Sequence, residues 1–390
     1  MLDFEYYNPT RIIFGRESIA KIHSLLENYG QNIMLLYGGG SIKKNGIFDK
    51  VMEQLRDKNV IEMGGIEPNP TIETIRRYIQ KCREEKVEFI LGVGGGSVMD
   101  SAKMIGAGAV YDGDVWDFFK NHDQLPEAML PVATVVTLAG TGSEANQNFV
   151  VTNPDTCEKI GKNGGPACFP EFAVCDPQLT FTVNAYQTAS GAFDTIAHVF
   201  EHYFAEADQY MPVQDGMQEA VIRAVITELP RAIKEPDNYE ARANLMWAAQ
   251  QALFGIADMG KGHGERVEHK MEHILSARYN CAHGAGLAVV VPPFRKHMCR
   301  LNPAKYRQFA ENVFHIDCTG LSDYEAGMKG ITALEDFIKS VGLPASLREI
   351  GAESETDVDF LAEELVRQGR VTKGTGIGLK ELKEMYASVY

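Results

Sequence analysis

Glu88-Phe89-Ile90-Leu91-Gly92-Val93-Gly94-Gly95-Gly96-Ser97 is the stretch whose reading decides the fold. Its first six residues, EFILGV, show no alternation of polar and apolar side chains. That is the pattern of a strand buried on both faces rather than one with a face in water. Three glycines and a serine end it, and residues 98–107 then read as a helix. Buried strand, glycine-rich turn and helix, in that order, open a βαβ unit. The order recurs on either side. Asn32–Tyr37 (NIMLLY) runs into Gly38-Gly39-Gly40-Ser41 ahead of a helical stretch over 46–58. Residues 131–137 (PVATVVT) run into Ala139-Gly140-Thr141-Gly142-Ser143. These repeats predict an α/β domain: a Rossmann-like parallel sheet with helices on both faces and ligands beyond the carboxyl ends of the strands. All three glycine-rich segments fall at such ends.

The strand signal stops near Asp176-Pro177, and from about Ala185 onward the pattern is mostly helical. Residues 212–228 and 239–257 are long amphipathic candidates, and 287–291 is apolar enough to be strand or helix. A chain of 390 residues is too long for one ordinary core. The boundary is therefore placed near 182, giving an α/β domain over 1–182 and an all-α domain over 183–390. There is no internal repeat, low-complexity segment or long flexible linker.

Composition narrows the function classes. Hydrophobic residues at 45% and charged residues at 23% describe a globular chain. A formal net charge of -15 argues against a nucleic-acid surface, which needs basic patches to neutralise phosphate. The seven cysteines are odd in number, and none are spaced C-x-x-C, so neither a disulfide framework nor a thiolate metal site is expected. No basic stretch followed by an apolar run opens the chain, and no run approaches the roughly 18 apolar residues of a membrane helix. The expectation is a cytoplasmic protein with no membrane partner.

Glycines at a strand end let the backbone approach a phosphate, and amides at the next helix start donate to it. One such loop is commonly just a tight turn; three in one domain point to a dinucleotide. None matches G-x-G-x-x-G, and G-x-x-x-x-G-K-[ST] is absent, so neither the standard dinucleotide fingerprint nor an ATPase loop is present. NAD-binding folds usually offer an acid to the adenine ribose. After the first strand come Gly38, Gly39, Gly40 and Ser41, then Lys43 and Lys44, with no acid. A surface lysine pair is an ordinary feature, but with the acid missing the reading is NADP(H) in preference to NAD(H).

Seven of the ten histidines lie between 198 and 297. Asp194 and His198 are four apart, which on a helix puts a carboxylate and an imidazole on one face, one turn apart. His269 and His273 repeat that spacing, and so do His198 and His202. A lone histidine on an apolar helix face is more often a hydrogen-bonded core residue, and an Asp-x-x-x-His pair can be a helix-surface contact. Spacing alone leaves His202 and His273 as competitors for any ligand set. His269 and His283 would sit roughly 21 Å apart on one straight helix, so the chain must reverse between them for both to reach one ion. Tyr279-Asn280-Cys281-Ala282, followed by Gly284, is the place for that. One Asp and three His suit Fe²⁺ or Zn²⁺. His23, His122 and His315 are isolated and carry no assigned role.

Taken together, Tyr7-Asn8-Pro9-Thr10, Glu67-Pro68-Asn69-Pro70, Gly94 to Asp100 with Lys103, Thr141-Gly142-Ser143-Glu144, Gly191 to Glu201 and His269 to Ala288 resemble the iron-containing (group III) alcohol dehydrogenase family, of dehydroquinate synthase-like fold. The resemblance covers essentially the whole chain. It is nearest to the NADPH-dependent butanol dehydrogenase branch, whose first loop carries Gly-Gly-Gly-Ser and two lysines. It implies that Asp194, His198, His269 and His283 hold one divalent metal, Fe²⁺ before Zn²⁺. It implies that His273 is a proton carrier near the metal and demotes His202 to the helix surface. It implies cofactor contacts at Gly39, Ser41, Asn69, Gly96, Ser97, Thr137, Thr141, Ser143, Asn148 and Lys159, the last two from a variable stretch. NAD-preferring relatives carry an acid where Gly39 stands. Gly161-Lys162-Asn163-Gly164-Gly165-Pro166 departs from the family in its glycine content.

The implied activity is NAD(P)-dependent alcohol dehydrogenase chemistry on a small aldehyde or primary alcohol such as butanal or butanol, by a homodimer. Alternatives on the same fold are a glycerol dehydrogenase-like polyol oxidoreductase and a dehydroquinate synthase. The latter needs several cations near the metal, and 191–202 and 269–288 offer only Lys270 and Arg278. A nucleotide-binding protein without turnover would be free to lose a ligand, and none is lost.

Overall fold

The computed structural model describes residues 1–121, 123–156, 158–205, 210–253, 255–261, 266–371 and 376–390, so His122, Cys157 and His263 lie outside the described residues. The first half alternates strands β1 (Arg11–Phe14), β2 (Asn32–Tyr37), β3 (Asn59–Gly64), β4 (Phe89–Gly94) and β5 (Val132–Val136) with helices α1 (Ile22–Leu25), α2 (Ser41–Lys44), α3 (Ile47–Gln54), α4 (Ile72–Glu84), α5 (Gly96–Val110) and α6 (Asp117–Lys120). Strands β6 (Asn148–Asn153), β7 (Glu158–Asn163) and β8 (Phe172–Cys175) complete it. The helices α7 (Ala185–Tyr203), α8 (Pro212–Lys234), α9 (Tyr239–Leu253), α10 (Val267–Tyr279), α11 (His283–Cys299), α12 (Pro303–Phe314), α13 (Asp323–Ser340), α14 (Thr356–Arg367) and α15 (Leu379–Ala387) follow.

The chain divides into two compact units. One comprises Tyr7–Val183 with Glu235–Phe254, the other Met1–Tyr6, Asn184–Lys234 and Gly255–Tyr390. The junction after Val183 falls beside the sequence boundary near 182. Glu235–Phe254, with α9, belongs to the sheet unit, where Trp247 meets Phe14 edge-on with ring centroids 5.7 Å apart.

The sheet unit is built on a six-stranded sheet in the order β1-β8-β5-β4-β2-β3, every neighbouring pair parallel. The central strands β4 and β5 are buried throughout, while the edge strand β3 has no buried residue and β1 buries only Ile13. Two cores flank the sheet. Ile33, Leu35, Phe89 and Leu91 pack with Ile47 and Val51 of α3 on one face. Met34, Leu36 and Ile90 pack with α4 and α5, through Ile75, Ile79 and Ile105, on the other. After β2 the chain adds β3 at one edge and then returns to lay β4 on the far side of β2. Strand order reverses there, and in open α/β sheets such a switch point is where ligands bind. The glycine-rich ends of β2 and β4 flank it. The hairpin β6–β7 stands outside the sheet as an antiparallel pair.

The helical unit has its main core where Met271 and Leu275 of α10, Val290 and Phe294 of α11, Leu361 and Leu365 of α14 and Leu382 and Tyr386 of α15 meet. The apolar run 287–291 is helical, inside α11. No helix among the described residues is long and apolar enough to cross a membrane.

Candidate active site

Within the sheet unit, Gly39, Ser41, Gly96, Ser97, Thr137, Thr141 and Ser143 follow the carboxyl ends of β2, β4 and β5, three neighbouring strands, whereas Asn69 follows β3, Asn148 opens β6 and Lys159 lies on β7. Gly39 lies in the loop leaving β2, and Ser41 is the first residue of α2. Gly40 has φ 90°, a left-handed conformation that glycine adopts without strain. Gly96 and Ser97 open α5, and the Ser97 hydroxyl donates to the carbonyl of Pro68, beside Asn69. A Cβ on Gly96 would lie 2.7 Å from Thr141 Oγ1, so only glycine lets the two loops close on one another. The Thr137 amide donates to the Gly94 carbonyl at 2.9 Å and ties the ends of β5 and β4 together.

Ser143 is buried, and its hydroxyl serves the protein's own network: it donates to Asp100 and lies 2.7 Å from Lys103 Nζ. Lys103, fully buried, also donates to the carbonyls of Ser143 at 2.9 Å and Asn146 at 3.1 Å, and to that of Asn148. Asp100 accepts the Val150 amide at 2.9 Å. This pair on α5 shapes the backbone from Ser143 to Val150. Burial lowers the Lys103 pKa, which the Asp100 charge opposes. Lys159, on β7, is buried, and its charge is felt at Asp100. Two of the glycines in 161–166 have a structural reason: a Cβ on Gly164 would lie 2.6 Å from the Phe149 ring and 2.7 Å from the Cys168 side chain, and Gly165 has φ 74°.

Lys43 is ion-paired to Glu62 on β3, and Glu62 also accepts the Tyr37 hydroxyl. An acid thus stands near this loop on the neighbouring strand, with its charge held by Lys43 and Tyr37. Sequence reasoning missed it because parallel pairing of β2 with β3, which sets Leu35 opposite Glu62, is not readable from either strand alone.

Within the helical unit, Asp194 and His198 sit one turn apart on α7, and His269 and His273 one turn apart on α10. The reversal expected near 280 is present: Asn280 caps α10 with φ 50°, and α11 begins at His283. Asn is one of the few non-glycine residues that takes this left-handed cap readily. A Cβ on Gly284 would lie 1.8 Å from the Ser190 carbonyl oxygen, so this glycine is what lets the first turn of α11 rest on α7.

The outcome is a buried cluster around one oxygen. Asp194 Oδ1 lies 3.2 Å from His198 Nδ1, 3.7 Å from His269 Nε2 and 3.5 Å from His283 Nε2. The side chains of Asp194, His198, His269 and His283 are 4, 13, 8 and 24% exposed, so the cluster reaches solvent at the His283 side. Asp194 Oδ1 and His269 Nε2 are buried without a hydrogen bond of regular geometry. Ligand atoms of Asp194, His198 and His269 all lie within 4.8 Å of one another, while His283 groups in the same way with Glu272 and His273. A carboxylate and three imidazoles, with Asp194 Oδ1 and His269 Nε2 orphaned among them, fit a divalent transition metal.

The electrostatics point the same way. Burial opposes the charge on Asp194, yet the surrounding imidazoles, His198 first, hold its carboxyl below the usual range. Burial drives His198 down to about 4. Burial works against a proton on His269 too, but Glu201 and Asp194 outweigh it and push that ring up to about 9.

His273 is half-buried, its ring centroid 5.7 Å from that of His283. His202 points elsewhere, with Nε2 3.8 Å from Asp258 Oδ2. Two glutamates went unnoticed in the sequence. Glu201 lies three residues after His198, and its Oε1 is 2.6 Å from His269 Nδ1. Glu272 lies three residues after His269 and is paired with His283 Nδ1. The i, i+3 spacing to a candidate ligand was the available signal.

Two family models account for most of the chain: iron-containing alcohol dehydrogenase matches residues 9–177, and the C-terminal domain of the Fe-containing alcohol dehydrogenase family matches 188–389. The chain is 38% identical over 395 residues to NADH-dependent butanol dehydrogenase A of Clostridium acetobutylicum, covering 100% of both. It is 35% identical over 376 residues to the NADPH-dependent aldehyde reductase YqhD of Escherichia coli, covering 96% of this chain and 95% of that protein. The solved structure of NADH-dependent butanol dehydrogenase A from Thermotoga maritima superposes with a TM-score of 0.93 at 38% identity, covering 100% of this chain and 99% of the other.

Proposed function

We propose that this chain, which belongs to the iron-containing alcohol dehydrogenase family, reduces a small aldehyde such as butanal to its primary alcohol, and runs the reverse reaction, with NADP(H) and one divalent metal. The ligands are Asp194, His198, His269 and His283, and the ion is Fe²⁺ in preference to Zn²⁺, although this donor set suits both. The observation that carries this is the buried Asp194 Oδ1, ringed by three imidazoles and lacking a hydrogen bond of its own. The metal, when bound, supplies a Lewis acid to the carbonyl oxygen, and the nicotinamide carries the hydride.

The chain's own residues bind, shield and move protons. Gly39, Ser41, Gly96, Ser97 and Thr141 offer backbone amides and hydroxyls at the strand ends to a dinucleotide phosphate. Asn69, Thr137, Asn148 and Lys159 complete that cofactor set, while Ser143, its hydroxyl held by Asp100 and Lys103, shapes the loop instead. His273, partly open to solvent and beside His283, delivers a proton to the product oxygen as general acid and recovers one from water. The NADP(H) preference is supported by Gly39, where no side chain stands to repel a 2′-phosphate and nothing else lies within 4 Å of a Cβ placed there. Relatives named for each cofactor exist, so the choice is read from this loop. The described cysteines are all free thiols, which supports a reducing cytoplasm, and the protein is taken to act as a homodimer.

The test is kinetic. NADPH oxidation with butanal should be rapid and NADH oxidation slower; a protein active on glycerol and inert to aldehydes would favour the polyol reading. No aldehyde- or alcohol-dependent turnover in metal-replete protein would leave a nucleotide-binding protein without catalysis.

A further inference from the structure

Each of the three histidines at Asp194 has a nitrogen turned away from the shared oxygen or held by the protein. His198 Nδ1 lies 2.9 Å from the backbone carbonyl of Asp194, one helical turn back. His283 Nδ1 is paired with Glu272 Oε2, and the other oxygen of that carboxylate accepts the Ser276 hydroxyl. His269 Nδ1 lies 2.6 Å from Glu201 Oε1, while Glu201 Oε2 lies 3.2 Å from Arg266 Nε. The side chains of Glu201 and Glu272 are 1 and 0% exposed.

Buried carboxylates are rare unless held by partners, because leaving water costs an ion heavily. Here both sit on the helices that carry the histidines, one turn beyond a histidine of their own helix. Glu201, on α7, reaches across to His269 on α10; Glu272, on α10, reaches across to His283 at the start of α11. A Cβ on Gly286 would lie 2.9 Å from Glu272 Cγ, so α11 is packed directly onto the glutamate that holds its first residue.

We propose that Glu201 and Glu272 are positioning residues for the metal centre: Glu272 takes the Nδ1–H of His283 and Glu201 sets its charge against Nδ1 of His269, and each thereby leaves Nε2 of its ring facing the space beside Asp194 Oδ1. This rests on the metal-site reading above. The carboxylate fixes the tautomer, holds the ring plane and makes Nε2 a better donor. The arrangement is a relay of three layers, with Arg266 and Ser276 outside, the two carboxylates next and the imidazoles within. A role in helix packing alone would be indifferent to the metal.

The test uses the full chain stripped of metal and titrated anaerobically with Co²⁺, read by its visible ligand-field spectrum and by competition with a chelator. Glu201→Gln and Glu272→Gln keep shape and remove charge. Each should weaken Co²⁺ binding by about 10- to 100-fold and shift the visible bands, with the apo protein melting at or near the wild-type midpoint. Wild-type affinity and an unshifted spectrum in both variants would overturn the proposal. The two glutamates serve different histidines, so if one variant does not fold the other decides the question by the same criteria. A wild-type chain that binds no Co²⁺ would overturn the metal-site reading itself, and this proposal with it.

Discussion

At the scale of single residues, His273 and His269 make an instructive pair. They share a helix face, yet one is buried against two carboxylates and the other is only half-buried. His273→Ala is expected to retain full metal content while kcat falls by about 10²-fold or more, the range for a lost general acid, as checked by elemental analysis beside steady-state rates. Cofactor choice is also a residue-scale matter. Gly39→Asp should cut the NADPH-to-NADH ratio of kcat/KM by about 10- to 100-fold, because it sets a like charge against the 2′-phosphate. Glu62→Gln should raise that ratio about two- to fivefold by releasing Lys43 from a half-exposed ion pair; an unchanged ratio would remove Lys43 from the account. Turn spacing offered Asp194, His198, His202, His269 and His273 together, and the family resemblance chose among them and added His283. Glu201 and Glu272 were not legible, because glutamate on a helix is ordinarily a solvated residue, and only their burial distinguishes them.

At the scale of elements, the site depends on how α7, α10 and α11 meet. Gly284→Ala would press a methyl group onto the Ser190 carbonyl, a backbone atom that cannot swing away. It should cost about 1–3 kcal/mol of stability, seen as a lower thermal midpoint, and should displace His283 and weaken metal retention. A second tie joins α8 to α12: Asp215 on α8 accepts from Lys261 at 2.6 Å, Lys305 at 2.5 Å and Gln308 at 3.1 Å. Burial opposes its charge, but the two ammonium groups prevail and depress its pKa below the unfolded value near 3.9. Its stabilisation is therefore complete above about pH 4 and is lost as the pH falls through the depressed value. Asp215→Asn should lower the thermal midpoint at pH 7 by the equivalent of about 3 kcal/mol, and by much less at the acid end of a pH series. A pH-independent difference would contradict that assignment. Among elements, β2, β4 and β5 were plain in the sequence because unbroken apolar runs before glycine clusters have few other meanings. The four-residue strands β1 and β8 give too short a window for any period, and the hairpin β6–β7, with its polar stretch Glu158–Asn163, reads as a loop until its partner is known.

At the scale of the whole molecule, alternation of strands and helices giving way to helices alone announced an α/β unit and a helical unit. The return of Glu235–Phe254 to the sheet unit was not legible, because an amphipathic helix shows which of its faces is apolar but not which surface covers it. The central claim joins fold to chemistry: the helical unit holds one divalent metal through Asp194, His198, His269 and His283, and aldehyde reduction depends on it. The most direct measurement is NADPH oxidation with butanal by protein whose metal content is verified by elemental analysis before stripping, after stripping and after reloading. The account predicts one ion per chain, activity lowered by about a hundredfold or more in the apo protein, and recovery on adding Fe²⁺. Undiminished turnover in verified apo protein would contradict it.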